Sequence, residues 1–479
     1  MATGPFVGKL EVIITRVAAF LVLLLSALVV LAPSVPTGWR LVAAVVAVFA
    51  QSWAISGSPF RFGGLLKMGA QFGGQYLDMA AMNAALKEWY DDQKVETLAY
   101  ERNPTLVMIP KKPNATGKYV PVPVVYEVSQ GGSNTFSNAQ GNQTPGLLAE
   151  FLITRRKDYS IATIDNEAME ASKDDRGSFL EGEKLMIDLA IRGCANRASV
   201  ELFRAGTGTR GRIGTIAAGV ITLSNPADVA NFGINQVLQQ STTDGGSPVA
   251  ALGYVIARNV VAGTITVSAT TWQGAAGTPT AWAANGFLLV QGDSNSAMTG
   301  LAGWLPAVAP TATDNFFGVN RSPDSRLYGL YYAGARQQIE EAFIDHLQLL
   351  AREGGDPRHC ITNNGTFAAL IKAMGTRREY VDLSSEDGAI GFRGVKLQGP
   401  QGVVEVFADR SCQPLTSYFL QMNTWKLYSL GMVPRILKYG DKLEMLRVNN
   451  ADASEVRVGR YANPGCNAPG WNGQCATGA

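Results

Sequence analysis

Alternating hydrophobic and polar positions in the second quarter of the chain predict a long β-hairpin. In order, its parts are a strand over 118–128, a polar run over 130–143 and a return strand over 147–154 that continues through 159–164. Pro121 and Pro123 exclude the first strand from the centre of a sheet, and Phe136 is the only large apolar residue of the polar run. Because a two-stranded hairpin is marginal in water, we expect this one to lean on another surface.

A single long helix is predicted next, over 179–205. Ser178 and Glu181 form a capping box in which each side chain satisfies a free backbone N–H, and Gly206 supplies the stop. Apolar residues recur between these ends at helical spacing: Met186, Leu189, Ala190, Gly193, Cys194, Ala198 and Leu202. At roughly 27 residues the helix exceeds the common length, which indicates a structural spine.

From about 213 to 292 the pattern changes to short β runs separated by turn residues. The runs are 219–223, 236–240, 252–259, 263–270 and 287–291. This stretch contains no histidine or cysteine and few charges. It predicts a small inserted barrel or sandwich with a structural or interaction role.

The last third of the chain predicts a sheet covered by two helices, an α+β arrangement. A helix over 335–351 would turn Ile339, Ala342, Phe343, Leu347 and Leu350 inward, and a shorter helix follows over 366–374. The predicted strands are 394–397, 403–407, 417–420 and 425–430, with one or two closing strands in 443–461.

The front end of the chain is apolar. Residues 17–39 carry no charge and are long enough for a membrane-spanning helix, and a second, interrupted apolar run covers 41–60. A signal peptide is less convincing, since no small-residue cleavage site is evident. Three interpretations stay open: a membrane anchor folded as a helical hairpin, a removable leader, or upstream sequence before an internal start at Met68.

Composition narrows the class of protein. The 479 residues suffice for two or three domains, and 46% of them are hydrophobic whereas only 17% are charged. Such a chain hides much of its surface, in a membrane or against copies of itself. The net charge of +2 argues against a dedicated nucleic-acid reader, which carries a concentrated basic patch.

Candidate catalytic chemistry is sparse. The chain has two histidines, His346 and His359, so a histidine-dependent nucleophile would have to use one of them. His359 is next to Cys360, but adjacent side chains rarely face each other, and His346 is expected on a solvated helix face. No ligand spacing for a metal is present. We therefore expect the chain to contain no catalytic, cofactor-binding or metal-binding residue. We also expect that it is not an enzyme.

Two further motifs have ordinary structural interpretations. Residues 206–211 fit the G-x-G-x-x-G pattern, but a helix precedes them and β residues follow, the reverse of a dinucleotide site; this predicts a helix stop and a linker. Cys466 and Cys475 stand in a Gly/Pro/Asn-rich terminal stretch, where loose thiols are favoured over a disulfide. The acidic runs at 165–170 and 384–387 predict polar loops.

Several short phrases occur in a fixed order along the chain. They are AQGNQ at 139–143, FLITR at 151–155, KDY at 157–159, IDNE at 164–167, GLAGWLP at 300–306 and FFGVNRS at 316–322. Together with the order of elements over about 69–461, they resemble the major capsid proteins of tailed bacteriophages, a fold shared with encapsulins and the herpesvirus capsid floor.

The resemblance implies an α+β capsid-shell fold with a definite division of the chain. Its parts would be an N-terminal arm at 68–117, an extended loop at 118–165, a peripheral domain with the spine helix at 166–212, 300–334 and 439–465, an inserted β domain at 213–299, an axial domain at 335–438 and a flexible tail at 466–479. The apolar segment 1–67 stands outside this pattern.

The resemblance also implies a function. Subunits would form the hexamers and pentamers of an icosahedral virion capsid around double-stranded DNA, assembled in the host cytoplasm, with the extended loop lying across a neighbour. DNA phosphates would be touched nonspecifically, through inward cations such as Arg192 or Arg197. Scaffold, portal and decoration proteins would be partners, and a membrane only if 17–56 is retained. The alternatives are an encapsulin-like cellular shell, a membrane-anchored surface or adhesion protein, and an enzyme that uses a histidine.

Overall fold

A computed structural model describes residues 103–167, 182–334, 336–375, 379–385, 388–437 and 445–478. All of them belong to one compact unit of the chain. The apolar segment 1–67, most of the predicted arm and the capping box lie outside the described residues. Within the described part, no helix has the length and apolar character needed to cross a membrane.

The first described elements contain the predicted hairpin. They are α1 (Pro104–Met108), β1 (Lys111–Lys112), β2 (Val120–Glu127), α2 (Phe136–Gly141), β3 (Leu147–Ile153) and β4 (Arg156–Asp165). Strands β2 and β3 pair antiparallel as a separate two-stranded sheet. The polar run is not only a loop, because α2 lies in it. Strand β4 leaves the hairpin and pairs with a long strand near the C-terminus.

The spine helix α3 (Gly182–Leu202) ends three residues before its predicted end. Of the predicted apolar stripe, Ala190, Cys194, Ala198 and Leu202 are buried. The turn that follows the helix depends on a glycine. Gly206 adopts a φ of +93°, and a Cβ on it would lie 2.8 Å from a threonine hydroxyl. A residue with a side chain is therefore disfavoured at this turn.

The β-rich stretch is a closed barrel of six strands. They are β5 (Thr209–Ala217), β6 (Val220–Leu223), β7 (Val237–Ser241), β8 (Gly253–Asn259), β9 (Thr264–Ser268) and β10 (Phe287–Val290), in the order β10-β5-β6-β9-β8-β7. Inward residues such as Ile213, Val255 and Leu288 fill it. The sequence missed β5, whose glycine-rich start was interpreted as linker; Gly211 lies under the ring of Phe232, where a Cβ would be 3.1 Å away.

The C-terminal half holds the remaining elements. They are α4 (Leu301–Trp304), β11 (Leu330–Gly334), α5 (Ile339–Arg352), β12 (His359–Thr362), α6 (Asn364–Met374), β13 (Glu379–Ser385), β14 (Gly388–Gly399), β15 (Gly402–Ala408), β16 (Thr416–Leu420), β17 (Trp425–Ser429), β18 (Arg435–Ile436), β19 (Met445–Arg447), β20 (Ala453–Cys466) and β21 (Gly473–Thr477). The predicted α+β class is confirmed.

Two sheets organise this half. One has seven strands in the order β11-β21-β16-β12-β15-β14-β13, with α5 packed on it and α6 beside α5. The other is built on β20, which β4, β17, β18 and β19 all join. The predicted axial segment 335–438 therefore differs from the observed sheet: β11 and β21 enter that sheet from outside the segment, and β17 leaves it for the other sheet.

The flexible tail predicted at 466–479 is wrong. Strand β21 lies inside the seven-stranded sheet, parallel to β11 and antiparallel to β16. Cys466 and Cys475 are fully buried. The glycines that suggested flexibility instead permit close packing: a Cβ on Gly473 would lie 2.4 Å from Nε2 of His346 on α5.

Candidate self-association surface and buried charge network

The inner face of the β2–β3 hairpin is held by the core. Val122 and Val124 of β2 and Phe151 and Ile153 of β3 are buried. The Phe151 ring lies 5.0 Å from the ring of Trp304, one of the largest fully buried side chains. Since successive residues of a strand point to opposite faces, this anchoring leaves the alternate residues outward.

The outer hairpin face is largely apolar and exposed. Its residues are Pro121, Pro123 and Val125 of β2 with their cross-strand partners Leu152, Glu150 and Leu148. Val125 and Leu148 are 64% and 67% exposed, and Phe136 on α2 is 83% exposed. Scattered apolar residues are normal on a surface, but a contiguous apolar face marks a site of contact.

The free edge of β2 is closed to a third strand. Leu152, the partner of Pro121, sends its N–H away from β2 to the Phe317 carbonyl at 2.9 Å. Two opposite residues of an antiparallel pair direct their backbone groups either both toward or both away from the other strand. The backbone nitrogens of Pro121 and Pro123 therefore face the free edge of β2, and proline has no N–H to donate there. A partner must therefore contact the side chains of the outer hairpin face and not extend the sheet.

Charged and polar bonds fix the base of the hairpin. Arg326 bonds the Glu127 carboxylate at the end of β2 and the Asp324 carboxylate at 2.7 Å. The hydrogen bond from Arg326 lowers the pKa of Glu127. On the return side, Arg155 donates to the Ala115 carbonyl at 2.7 Å. The hairpin therefore leaves the body at a fixed position.

A buried charge network joins β4, β20 and α3. Arg460 of β20 donates from Nε to Asp158 of β4 at 3.2 Å and from Nη2 to Glu201 of α3 at 2.6 Å. Arg197 of α3 lies 2.7 Å from the second Asp158 oxygen and 3.1 Å from Asp293. Burial acts to raise the pKa of Glu201, but Arg460 and the Met298 N–H together hold it below its ordinary value.

The network also reaches the barrel. Arg210 at the start of β5 donates to Asp293 at 3.3 Å, the same carboxylate that Arg197 binds. Gly208 permits the approach, since it has a φ of +87° and a Cβ on it would meet the Asp293 carbonyl at 2.3 Å. The glycine motif thus holds the entry of the barrel against its exit. The interpretation of 206–211 as a helix stop and linker is correct for the stop at Gly206, whereas residues 209–211 belong to β5.

The solvated position predicted for His346 is wrong. The imidazole is fully buried, with the ring of Phe419 5.1 Å away. It follows Phe343 by three residues and precedes Leu350 by four, which places it on the apolar stripe of α5. Burial lowers its pKa to about 3, partly opposed by the Gly473 backbone, so the ring is neutral at physiological pH.

Titration of His346 predicts a pH dependence of stability. The unfolded chain takes up this proton near pH 6.5 and the folded chain only near pH 3, so stability falls as the pH is lowered through that window. We expect this group alone to cost about 1.4 kcal/mol per pH unit below pH 6.5. Urea unfolding at pH 7, 6 and 5 measures the slope, which His346→Leu should flatten.

His359→Leu is the control for that experiment. His359 is only partly buried, and burial lowers its pKa against the opposing effect of Glu405, whose carboxylate is 3.9 Å away. Its removal should leave most of the slope in place. Equal slopes in wild type and His346→Leu would contradict the prediction.

The cysteines are all free and buried. Cys360 follows His359 on β12, where neighbouring side chains point to opposite faces, and burial raises its pKa well above the usual value. Burial likewise raises the pKa of Cys466 and of Cys475 to about 12. The two terminal thiols are therefore neither loose nor joined in a disulfide.

The described residues bring no metal set together: no group of three or more histidine, cysteine or acidic side chains is placed to hold an ion. The acidic run at 384–387 lies partly outside the described residues, and in the other run Asp165 accepts the Glu167 N–H at 3.2 Å. Arg197, proposed from the sequence as a DNA contact, binds Asp158 and Asp293 within the chain, and the DNA contact stays a prediction.

No protein-family model and no curated protein matches the chain. Among solved structures, it is similar to the capsid asymmetric unit of cyanophage A-1(L), with 11% identity over 83% of this chain and 98% of that one and a TM-score of 0.47. It is also similar to the capsid of an empty GTA particle, with 10% identity over 84% and 98% and a TM-score of 0.42.

A third similar structure is the SrpI encapsulin of Synechococcus elongatus PCC 7942, with 8% identity over 83% of this chain and 94% of that one and a TM-score of 0.38. Phage capsids and encapsulins are the groups that the ordered sequence phrases resemble.

Proposed function

We propose that this chain is a structural subunit that self-associates into the closed shell of a virion. The observation that carries the proposal is the outer hairpin face: a fixed, exposed, mainly apolar surface on a two-stranded sheet whose free edge is blocked by proline. Burying that exposed apolar face against a second copy would remove it from water, which favours association. Closed symmetry would limit the growth of such an assembly.

The low charge of the chain and its lack of recognised catalytic spacing support a structural role. The finer features of the proposal are hexamers and pentamers in an icosahedral lattice, enclosed double-stranded DNA, and scaffold, portal and decoration partners. Electron microscopy of purified particles tests the lattice. Nucleic acid that survives nuclease treatment of intact particles tests enclosure, and particles without it would favour the encapsulin-like alternative.

The double variant Val125→Lys/Leu148→Glu tests the interface. These residues are cross-strand partners, so the introduced charges attract each other within one subunit and leave its net charge unchanged. In an interface they would have to lose their hydration. We expect folded subunits with shell assembly reduced at least about tenfold, measured by sedimentation velocity and negative-stain electron microscopy.

The matched control is Val260→Lys/Val261→Glu. It places the same charges on an exposed turn of the barrel, where Val261 is 98% exposed. Assembly should be unchanged there, and circular dichroism should match wild type for both variants. Shells of normal yield from Val125→Lys/Leu148→Glu would rule out the outer hairpin face as the interface. A wild-type chain that is a monomer extracted only by detergent would favour the membrane-anchored alternative instead.

A further inference from the structure

The barrel is joined to the rest of the body by little apolar packing. Its buried core, which includes Ile213, Val255 and Leu288, shares no residue with the buried apolar clusters of the other described residues. No described helix or strand of the body packs extensively against a barrel strand. A cavity of about 250 Å³ separates α3 from the barrel over part of their junction, with Val200 of α3 and Phe232 of the barrel in its lining. Since apolar burial is the main force that holds elements together, this junction depends on other interactions.

Two short segments connect the barrel to the body, an entry segment at 203–208 and an exit segment at 291–299. Both contain residues in the left-handed region: Gly206 has a φ of +93°, Gly292 of +86° and Asn295 of +52°. The Asn295 N–H donates to a carbonyl of the entry segment at 3.0 Å, so the two segments lie side by side. A hinge consists of a few loop residues that absorb a change in backbone angles. Two adjacent short segments with such residues have the geometry of one hinge.

Ion pairs span this hinge on both sides. Arg204, just after α3, donates to the carboxylate of Asp228 in the barrel at 2.9 Å and to the Arg210 carbonyl of β5 at 3.1 Å. Arg197 of α3 binds Asp293 of the exit segment at 3.1 Å, and Arg210 binds the same carboxylate at 3.3 Å. We call these five residues the ionic clamp. Each half of the clamp connects the end of the spine helix to the barrel.

The ionic clamp makes the closed position of the barrel depend on its carboxylates. Burial and the charge of Arg197 lower the pKa of Arg210, and burial raises the pKa of Asp293 against the opposing effect of both arginines. A buried ion that loses its partner is strongly destabilised. Without Asp293 the two cations would face each other in a partly enclosed space, and they regain hydration only if the junction opens. Loss of the clamp therefore favours an open position.

We propose that the barrel is a hinged unit which the ionic clamp holds closed on α3, and which turns about the entry and exit segments when the clamp opens. The barrel can move as one body, because its six strands form a closed ring with their own core. Opening would break polar contacts and leave the apolar clusters of the body and of the barrel intact. It would change the direction in which the barrel presents its outer surface to a partner. The inference concerns a single chain and is independent of shell assembly.

Distances between two spin labels on the full-length chain test the hinge. Val261→Cys at a barrel turn and Ile344→Cys on α5 supply exposed labelling sites, whereas the five native cysteines are buried. Dilution with unlabelled chain restricts the measurement to distances within one chain. We expect one narrow distribution with the clamp intact. In Asp228→Asn/Asp293→Asn the distribution should be at least about twice as broad, because the paired carboxylates that hold the barrel are lost.

Asp314→Asn is the matched control. Asp314 binds Arg321 at 2.9 Å within the body, and its side chain is 19% exposed, compared with 16% for Asp293. This variant should keep the narrow distribution. Arg204→Gln removes the clamp from the body side by a single change and should also broaden the distribution, which keeps the test decisive if the double variant does not fold. Near-ultraviolet circular dichroism identifies the folded variants. A distribution of wild-type width in a folded clamp variant, or equal broadening in Asp314→Asn, would overturn the proposal.

Discussion

Replacing Arg460 by alanine is expected to lower the free energy of unfolding by about 3–5 kcal/mol. The guanidinium is 1% exposed and is bound to Asp158 and Glu201. Its removal leaves Asp158 with Arg197, at 2.7 Å, but takes from Glu201 the cation that it binds and leaves it the Met298 N–H, at 2.9 Å. A buried carboxylate that loses its cation must either stay charged at a high cost or take up a proton.

Arg457→Ala is the matched control, because Arg457 lies on the same strand β20 and pairs with Glu455 at the surface, with 38% of its side chain exposed. An exposed pair contributes under about 1 kcal/mol. Urea unfolding of the unassembled chain should therefore separate the two variants by at least about 2 kcal/mol. Equal, small losses would show that the buried network does not hold β4, α3 and β20 together.

The elements that the sequence predicted correctly are those whose pattern is complete within a short window. Strands β6 and β9 alternate between the barrel core and the outside, and the hairpin carries its own prolines and polar tip. Each needs only local information, namely side-chain periodicity and turn residues. Strand β5 was missed because its first half is glycine-rich. In the structure it pairs with β6 and β10, and the ring of Phe232 lies over Gly211.

The two clearest errors share one contact. His346 was assigned to a solvated face because acidic residues (Glu340, Glu341 and Asp345) lie near it on the helix, and β21 was assigned to a flexible tail because that stretch is rich in Gly, Pro and Asn. In the structure the imidazole packs against Gly473, at the first position of β21. The buried position of His346 and the strand at Gly473 can be predicted only together, and the two residues are distant in sequence. The stripe of α5 that contains Phe343 and Leu350 was the one available signal for the histidine.

The outer hairpin face could be predicted from the sequence, whereas the cavity between α3 and the barrel could not. That cavity has a volume of about 250 Å³ and is lined by Arg192, Arg197, Arg210, Arg258 and Arg410. The sequence predicted a hairpin in need of a partner surface, since both strands and their prolines are contiguous. The cavity could not be predicted, because its arginines come from α3, β5, β8 and the segment after β15. In the sequence each would be taken for an ordinary surface cation, and only the packing of the barrel on the spine helix brings them to one space.

Ending the chain at Asn472, which deletes β21, is expected to abolish folding of the seven-stranded sheet. The deletion removes the strand that pairs with β11 along its whole length. It also removes the strand that separates β16 from β11 and pairs with β16. It also opens the core around Phe343 and Phe419 to water, since Cys475 belongs to that cluster. A loss on this scale is comparable with the whole stability of a domain, about 5–15 kcal/mol, so the product should be insoluble or lack near-ultraviolet circular dichroism.

Ending the chain at Thr477 is the matched control, because it retains all five residues of β21 and their pairs. That product should unfold with the same urea midpoint as the full chain. Gly473→Ala gives an intermediate case, since the added Cβ would lie 2.4 Å from His346 Nε2 and 2.7 Å from the Leu330 carbonyl. We expect this variant to fold with reduced stability, by about 1–3 kcal/mol. A soluble, cooperatively unfolding product from the chain that ends at Asn472 would mean that residues 473–479 are the dispensable tail which their composition suggests.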